Sequence, residues 1–208
     1  MGLRYDFPID HTKKNTVYAR VIAWAGAGKR VLDVGCDTGN LGGWLKSGAL
    51  SVDGVEMDPE AAKKASERLD NVYTGSIEDA GVLKSLKGPY DLIIFADVLE
   101  HLANPENTLE KMKPLLSPSG EIVASLPNVA NFRVRIPLLF GRFDYTETGI
   151  LDRTHLRFFT KITAAALFVK AGYKILDIKP AATFMPTALL YLWPGLFATR
   201  FVIKATPA

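Results

Sequence analysis

Val31-Leu32-Asp33-Val34-Gly35-Cys36-Asp37-Thr38-Gly39-Asn40-Leu41-Gly42 runs from an apolar strand through a glycine-punctuated turn into a helix. Glycine admits backbone dihedrals closed to other residues and lets the main chain approach a ligand. About 20 residues further on, Glu56 ends the next apolar strand, Ser51 to Glu56. A carboxylate at that offset can take both hydroxyls of a ribose. The pattern predicts an adenosine-containing ligand.

The glycines also discriminate among such ligands. A dinucleotide fingerprint, G-x-G-x-x-G, seats a pyrophosphate on a helix N-terminus. Here its second glycine position holds Asp37, whose carboxylate would repel a pyrophosphate but tolerates a cation. No G-K-[ST] follows, so a nucleotide P-loop is absent. The stretch D-x-G-C-x-x-G, strand before and helix after, resembles motif I of the class I S-adenosylmethionine-dependent methyltransferases. Four further segments carry the resemblance in order: Gly54-Val55-Glu56-Met57-Asp58, Gly75-Ser76-Ile77-Glu78-Asp79, the strand and turn Tyr90 to Leu102, and Leu115 to Glu121. Together they cover roughly 31–131 of the chain. The chain departs from many members at Asp37, where they have glycine. Aspartate tolerates left-handed dihedrals better than most residues, so the turn survives.

Outside the motifs the chain alternates helices and strands. Strands are expected at Arg30 to Val34, Ser51 to Glu56, Asn71 to Thr74, Tyr90 to Phe95, Glu121 to Ser125 and Tyr173 to Ile178, with helices between them. Such alternation predicts an α/β fold: a doubly wound, Rossmann-like, mostly parallel sheet with helices on both faces. The resemblance implies seven strands, the last (Phe197 to Ala205) antiparallel beside strands five and six. The expected organisation is one domain: an N-terminal lid or helix over 1–28, a cofactor-binding half over 29–126, an acceptor-site insertion over 127–160, and C-terminal helix and strands over 161–208. Ligands of such sheets sit beyond the carboxyl ends of the strands, where all the motifs fall.

The 208 residues are enough for a core, and 48% hydrophobic with 23% charged is ordinary for a globular protein. A net charge of +3 is too small to argue for a nucleic-acid partner. The single cysteine, Cys36, rules out an internal disulfide and suits a reducing compartment, so a cytoplasmic location is expected. No signal peptide is visible at the N-terminus, and Pro186, Pro194, Gly195 and Arg200 interrupt the apolar stretch from Phe184 to Ile203.

The resemblance implies the cofactor S-adenosyl-L-methionine, with S-adenosyl-L-homocysteine as product, and a set of residues around it. Asp33, Gly35, Cys36 and Gly39 hold the methionine end, Glu56 the ribose, and Met57 packs on the adenine face. Ser76, Ile77 and Glu78 flank the adenine edge, and Ala96 and Asp97 close the substrate side. Asp97, Glu100 and His101 invite a metal reading. No second histidine lies at ligand spacing nearby, so no metal is assigned and the turn is read as structural.

The segment from Leu126 to Thr160 has little regular pattern, is too apolar for disorder, and is read as the acceptor site. Its run Leu151 to Thr160 resembles family members found beside polysaccharide and lipid-carrier biosynthesis. The expected acceptor is a small molecule, anionic or lipid- or sugar-linked, methylated on oxygen. Asn128, Arg153 and Arg157 are its candidate binding residues, since arginine forks suit phosphate or carboxylate. Alternatively the arginines pair with Asp144 and Asp152. His155 is the candidate general base, because a neutral imidazole accepts a hydroxyl proton near neutral pH. His11 is a further histidine that an N-terminal lid would bring close. The apolar patches Ile136 to Phe140 and Tyr191 to Phe197 suit a membrane surface or an interface, although lid and core packing is the preferred account. Three other functions share these features: a nicotinamide-dependent oxidoreductase, which Asp37 argues against; an RNA or protein methyltransferase, the RNA form of which the modest charge argues against; and a non-catalytic cofactor-binding partner in a biosynthetic complex.

Overall fold

Strands β1 (Arg30–Val34) and β4 (Tyr90–Ala96) sit in the middle of the sheet because they carry near-continuous apolar runs. That is the composition of parallel strands covered on both faces. Leu92, Ile93, Ile94 and Phe95 are all fully buried. The structure, a computed structural model, describes residues 14–208. Around the central pair lie β2 (Ser51–Glu56), β3 (Asn71–Thr74), β5 (Leu116–Pro127), β6 (Tyr173–Ala181) and β7 (Arg200–Pro207), in the order β3-β2-β1-β4-β5-β7-β6. The first five pair in parallel. β7 is antiparallel to both β5 and β6. This is the doubly wound sheet with an antiparallel last strand that the alternation and the resemblance predict.

The period-2 alternation of strand side chains divides the core in two. Leu32, Ile93, Phe95, Ile122 and Ile203 point to one face and meet α5 (Pro105–Met112) and α7 (Lys161–Lys170) through Leu109, Met112, Leu167 and Phe168. Val31, Leu92, Ile94, Val123 and Val202 point to the other. There they meet α1 (Val17–Ala25), α2 (Asn40–Leu45) and α3 (Pro59–Ala65) through Val21, Ala25, Leu41, Leu45 and Ala65. Each such side chain contributes about 1.5–3 kcal/mol on full burial. Local signals set the helix starts. Asp58 accepts from the amides of Glu60 and Ala61 ahead of Pro59, Asn104 accepts from Asn107 ahead of Pro105, and Thr160 and Thr163 form a reciprocal capping box.

The helix expected within 1–28 is α1, and it packs on the sheet through Val21 and Ala25; residues 1–13, which include His11 and most of the segment read as a lid, lie outside the described residues. Two expectations change. The 126–159 segment, expected to have little regular pattern, contains a helix. It holds α6 (Phe132–Leu139), capped by Asn131, and it is tied down at Asn128, which bridges to Phe159. The two apolar patches are not core. Leu139, Phe140, Leu192 and Trp193 are 81, 79, 78 and 65% exposed, on α6, α8 (Thr187–Leu192) and the turn into α9 (Pro194–Phe197). Periodicity cannot distinguish an apolar outer face from an inner one. No helix among the described residues is long and apolar enough to cross a membrane.

Candidate active site

The turn after β1 is held by the strand beside it. The amides of Gly35 and Cys36 both donate to the Val55 carbonyl, at 2.8 and 3.1 Å. Gly35 has φ 70°, and a Cβ there would lie 2.5 Å from Cγ2 of Val98. Asp37 takes φ 47°, the left-handed conformation expected of it. Its amide donates to Oε2 of Glu56 at 2.9 Å, and the Asp58 amide donates to Oε1 at 2.8 Å. These two bonds fix the Glu56 carboxylate between the turns that follow β1 and β2. Met57 lies beside it, 72% exposed.

Asp33 is buried beneath the turn, and its Oδ2 has no hydrogen-bond partner. Burial raises its carboxyl to about 7; the Gly42 amide offsets part of this, and the charge of Glu56 adds to it. Asp97 follows β4 with φ 57°. Its amide donates to Oγ of Ser125 at 2.9 Å, its Oδ1 accepts from that hydroxyl at 2.6 Å, and its Oδ2 accepts from Nε of Arg200 at 2.5 Å. Tyr18 of α1 reaches the same place, with its phenol pushed up to about 12 by burial and then by Asp97, Asp33 and Asp37. Tyr18, Ser125 and Arg200 were missed from the sequence. The rule that sites gather at strand carboxyl ends pointed to Ser125; nothing local marks the other two.

Asp33, Asp37, Glu56 and Asp97 thus give the crevice four acidic groups. An unmatched buried carboxylate oxygen and an acidic rim fit a cationic ligand and oppose a pyrophosphate. The ammonium and sulfonium of S-adenosylmethionine meet that requirement.

Other expected residues have structural tasks. Cys36 is buried, with Sγ 2.6 Å from where a Gly54 Cβ would stand, and burial pushes its thiol up. Ile77 lies in the core, and Ser76 accepts from the Glu78 amide. Glu78 accepts from the amides of Ala103 and Asn104, at 3.1 and 2.9 Å, so its carboxylate organises the approach to α5. Asn128 is fully buried and donates to the carbonyls of Gly195 and Ala198, so it ties two segments together. Arg153 pairs with Glu147 at 2.6 Å, and Arg157 donates to the Ala103 carbonyl. Both arginines thus have protein partners, and these are other than Asp144 and Asp152.

A cavity of about 400 Å³ lies instead between α6, the 142–151 loop and the 182–185 and 197–200 segments. Arg133, Arg142 and Arg200 line it together with Phe132, Phe184 and Phe197. Arg200 joins this cavity to Asp97 and hence to the crevice.

His155 is carried by a loop that hangs on the turn after β4. The Leu156 and Arg157 amides donate to the Glu100 carbonyl at 2.9 and 3.1 Å. Nδ1 of His155 is 3.1 Å from the Ile150 carbonyl, which assigns it the proton and leaves Nε2 as acceptor. Burial, then the neighbouring His101, lowers its pKa, which favours the neutral ring. The fold brings the second histidine that the local spacing lacks: the rings of His101 and His155 meet edge to face at 4.8 Å.

The family model for a methyltransferase domain matches residues 11–178. The chain belongs to this family. As a class I S-adenosylmethionine-dependent methyltransferase it has relatives on two levels. It is 27% identical over 157 residues to a ubiquinone biosynthesis O-methyltransferase of Coxiella burnetii, a match covering 73% of this chain and 66% of that protein, just under two thirds of its length. A protein of the same description from Burkholderia pseudomallei is 27% identical over 163 residues, 74% of this chain and 68% of the relative. Among solved structures, the fold is similar to a methyltransferase of Archaeoglobus fulgidus (TM-score 0.65, 18% identity, 94% of this chain and 96% of that one). It is also similar to magnesium protoporphyrin IX methyltransferase of Synechocystis PCC 6803 with bound SAH (TM-score 0.66, 18% identity, 99% and 91%).

Proposed function

We propose that this methyltransferase acts on an oxygen of a small acceptor that is anionic and carries an aromatic or apolar part, of the lipid- or sugar-linked kind. The observation that carries the reading is the cavity lined by three arginines and three phenylalanines, joined to the crevice through Arg200 and Asp97. Arginine forks recognise carboxylate or phosphate, and the rings cover an apolar body. Among the described residues Arg133 makes no ion pair, whereas Arg142 is matched by Asp144 at 2.8 Å. The exposed Phe184 at the rim suits an apolar tail. The O-methyltransferase names of the relatives support oxygen as the acceptor atom.

The cofactor supplies a methyl group on a sulfonium, displaced in line. The chain's residues hold the acceptor on that axis in a site closed to water. His155 Nε2 is the chain's own acceptor for a hydroxyl proton, worth roughly 10²–10⁴ in rate.

The test is turnover of matched acceptor pairs, hydroxylated aromatic acids against their amides, read as homocysteine released from the product. A preference of at least about tenfold in kcat/KM for the acids is expected. It should shrink in Arg133→Ala and Arg142→Ala through a raised KM with little change in kcat. Equal kcat/KM for acid and amide overturns the reading.

A further inference from the structure

One group of side chains is not explained by methyl transfer alone. Glu100, His101 and His155 each present a ligand atom, and these atoms lie within 4.8 Å of one another. Glu100 is fully buried, and neither carboxylate oxygen has a hydrogen-bond partner. Protonation alone does not supply a partner, since neither oxygen lies at hydrogen-bond distance from an acceptor. The charges around the group do not settle it either: Asp97 and Asp152 face it as like charges, with Arg200 opposing them. An isolated buried carboxylate is costly unless it is paired or bound to a metal.

The histidines are oriented in a matching way. Nδ1 of His155 faces the Ile150 carbonyl at 3.1 Å. Nδ1 of His101 faces the carbonyl and the hydroxyl of Thr154, both at 3.2 Å. Thr154 is itself held by Asp152, whose Oδ1 accepts from its amide and its hydroxyl at 2.9 and 2.7 Å. Fixing Nδ1 through a carbonyl leaves Nε2 as the ligand atom, the outer-shell arrangement typical of metal-binding imidazole.

We propose that Glu100, His101 and His155 bind a divalent cation of the zinc class. Two imidazoles and one carboxylate suit zinc, cobalt or manganese better than calcium or magnesium, which prefer sets of oxygen ligands. Three protein ligands leave a coordination position open, as catalytic sites do and structural zinc sites do not. The role of that position rests on the oxygen-acceptor reading above: the ligand class it takes is an oxygen anion, which coordination stabilises. Nε2 of His155 then belongs to the ion and not to the hydroxyl proton, so the two roles are alternatives that one experiment separates.

The full chain, stripped with a chelator and dialysed, is titrated with Co²⁺ and followed by visible d–d absorption; Zn²⁺ is followed by calorimetry. One ion per chain is expected, weakened at least about tenfold in His101→Ala and in His155→Ala. S-adenosylhomocysteine binding is measured in the same samples and stays unchanged, which shows that the variants are folded. Glu100→Gln removes the charge while keeping the shape and weakens Co²⁺ in the same way. Should that variant not fold, the two histidine variants decide alone. Absence of saturable Co²⁺ and Zn²⁺ binding, or binding unchanged by both histidine variants, overturns the proposal. Failure of the anionic-acceptor reading leaves the Co²⁺ titration unchanged, so the two failures are distinguishable.

Discussion

Asp33 is 2% exposed with one unmatched oxygen and a carboxyl held near 7. Because its folded pKa lies above its unfolded one, the native state holds a proton that the unfolded chain has lost between about pH 4 and 7. Stability of the free protein therefore falls as pH rises through that window and is flat above it, a loss of a few kcal/mol at about 1.36 kcal/mol per pKa unit. Asp33→Asn removes the loss. At pH 8 its urea midpoint should exceed that of the wild type, and at pH 4 the two should coincide. Binding shows the opposite preference. A cationic cofactor favours the ionised carboxylate, so S-adenosylmethionine affinity should fall as pH drops below about 7 and should fall at least about tenfold in Asp33→Asn. Calorimetry across pH checks both signs. At Glu56 the amides of Asp37 and Asp58 set the carboxylate's direction. Losing two charge-assisted bonds in Glu56→Ala should weaken the cofactor roughly 100-fold.

At the scale of elements, the β1–α2 turn is tightly constrained. Gly35 combines φ 70° with a Val98 methyl 2.5 Å from any added Cβ. Gly35→Ala should cost about 2–4 kcal/mol from left-handed strain plus overpacking, seen as a lower urea midpoint at unchanged m, and it should abolish cofactor binding. This turn was legible in the sequence because strand, glycines and Glu56 are local signals at fixed offsets. The 126–159 segment was not. Its order comes from contacts across the fold: Asn128 to the Gly195 and Ala198 carbonyls, the Val129 amide to Phe159, and Leu156 and Arg157 to the Glu100 carbonyl. No periodicity reports such contacts, which is why the protein partners of Asn128, Arg153 and Arg157 could not be read from the sequence.

For the whole molecule, the contrast between the sandwiched sheet and the outer apolar patches is measurable. Phe168 is fully buried against β6 and the α5 face. Phe168→Ala should cost about 3–5 kcal/mol. Leu139→Ser and Phe140→Ser, at 81 and 79% exposure, should stay within about 0.5 kcal/mol. Thermal midpoints distinguish the two classes, since 1 kcal/mol corresponds to about 2–4 °C at this size. A drop of several degrees in either serine variant would show that the patch is covered in the native state.

The sequence by itself determined the doubly wound sheet and the identity of the cofactor class. Alternating periods, glycine placement and the acidic residue ending β2 are short-range features, readable within about 30 residues. Only the tertiary structure decided what stands on the acceptor side. Arg200 reaches Asp97 across 103 residues of chain, and Thr154 supports His101 across 53. Their meeting follows from sheet order, with β7 inserted beside β5 and the long loop hung on the turn after β4. The chemistry of a site depends on distances in space, and local sequence patterns encode such distances only when the partners share an element.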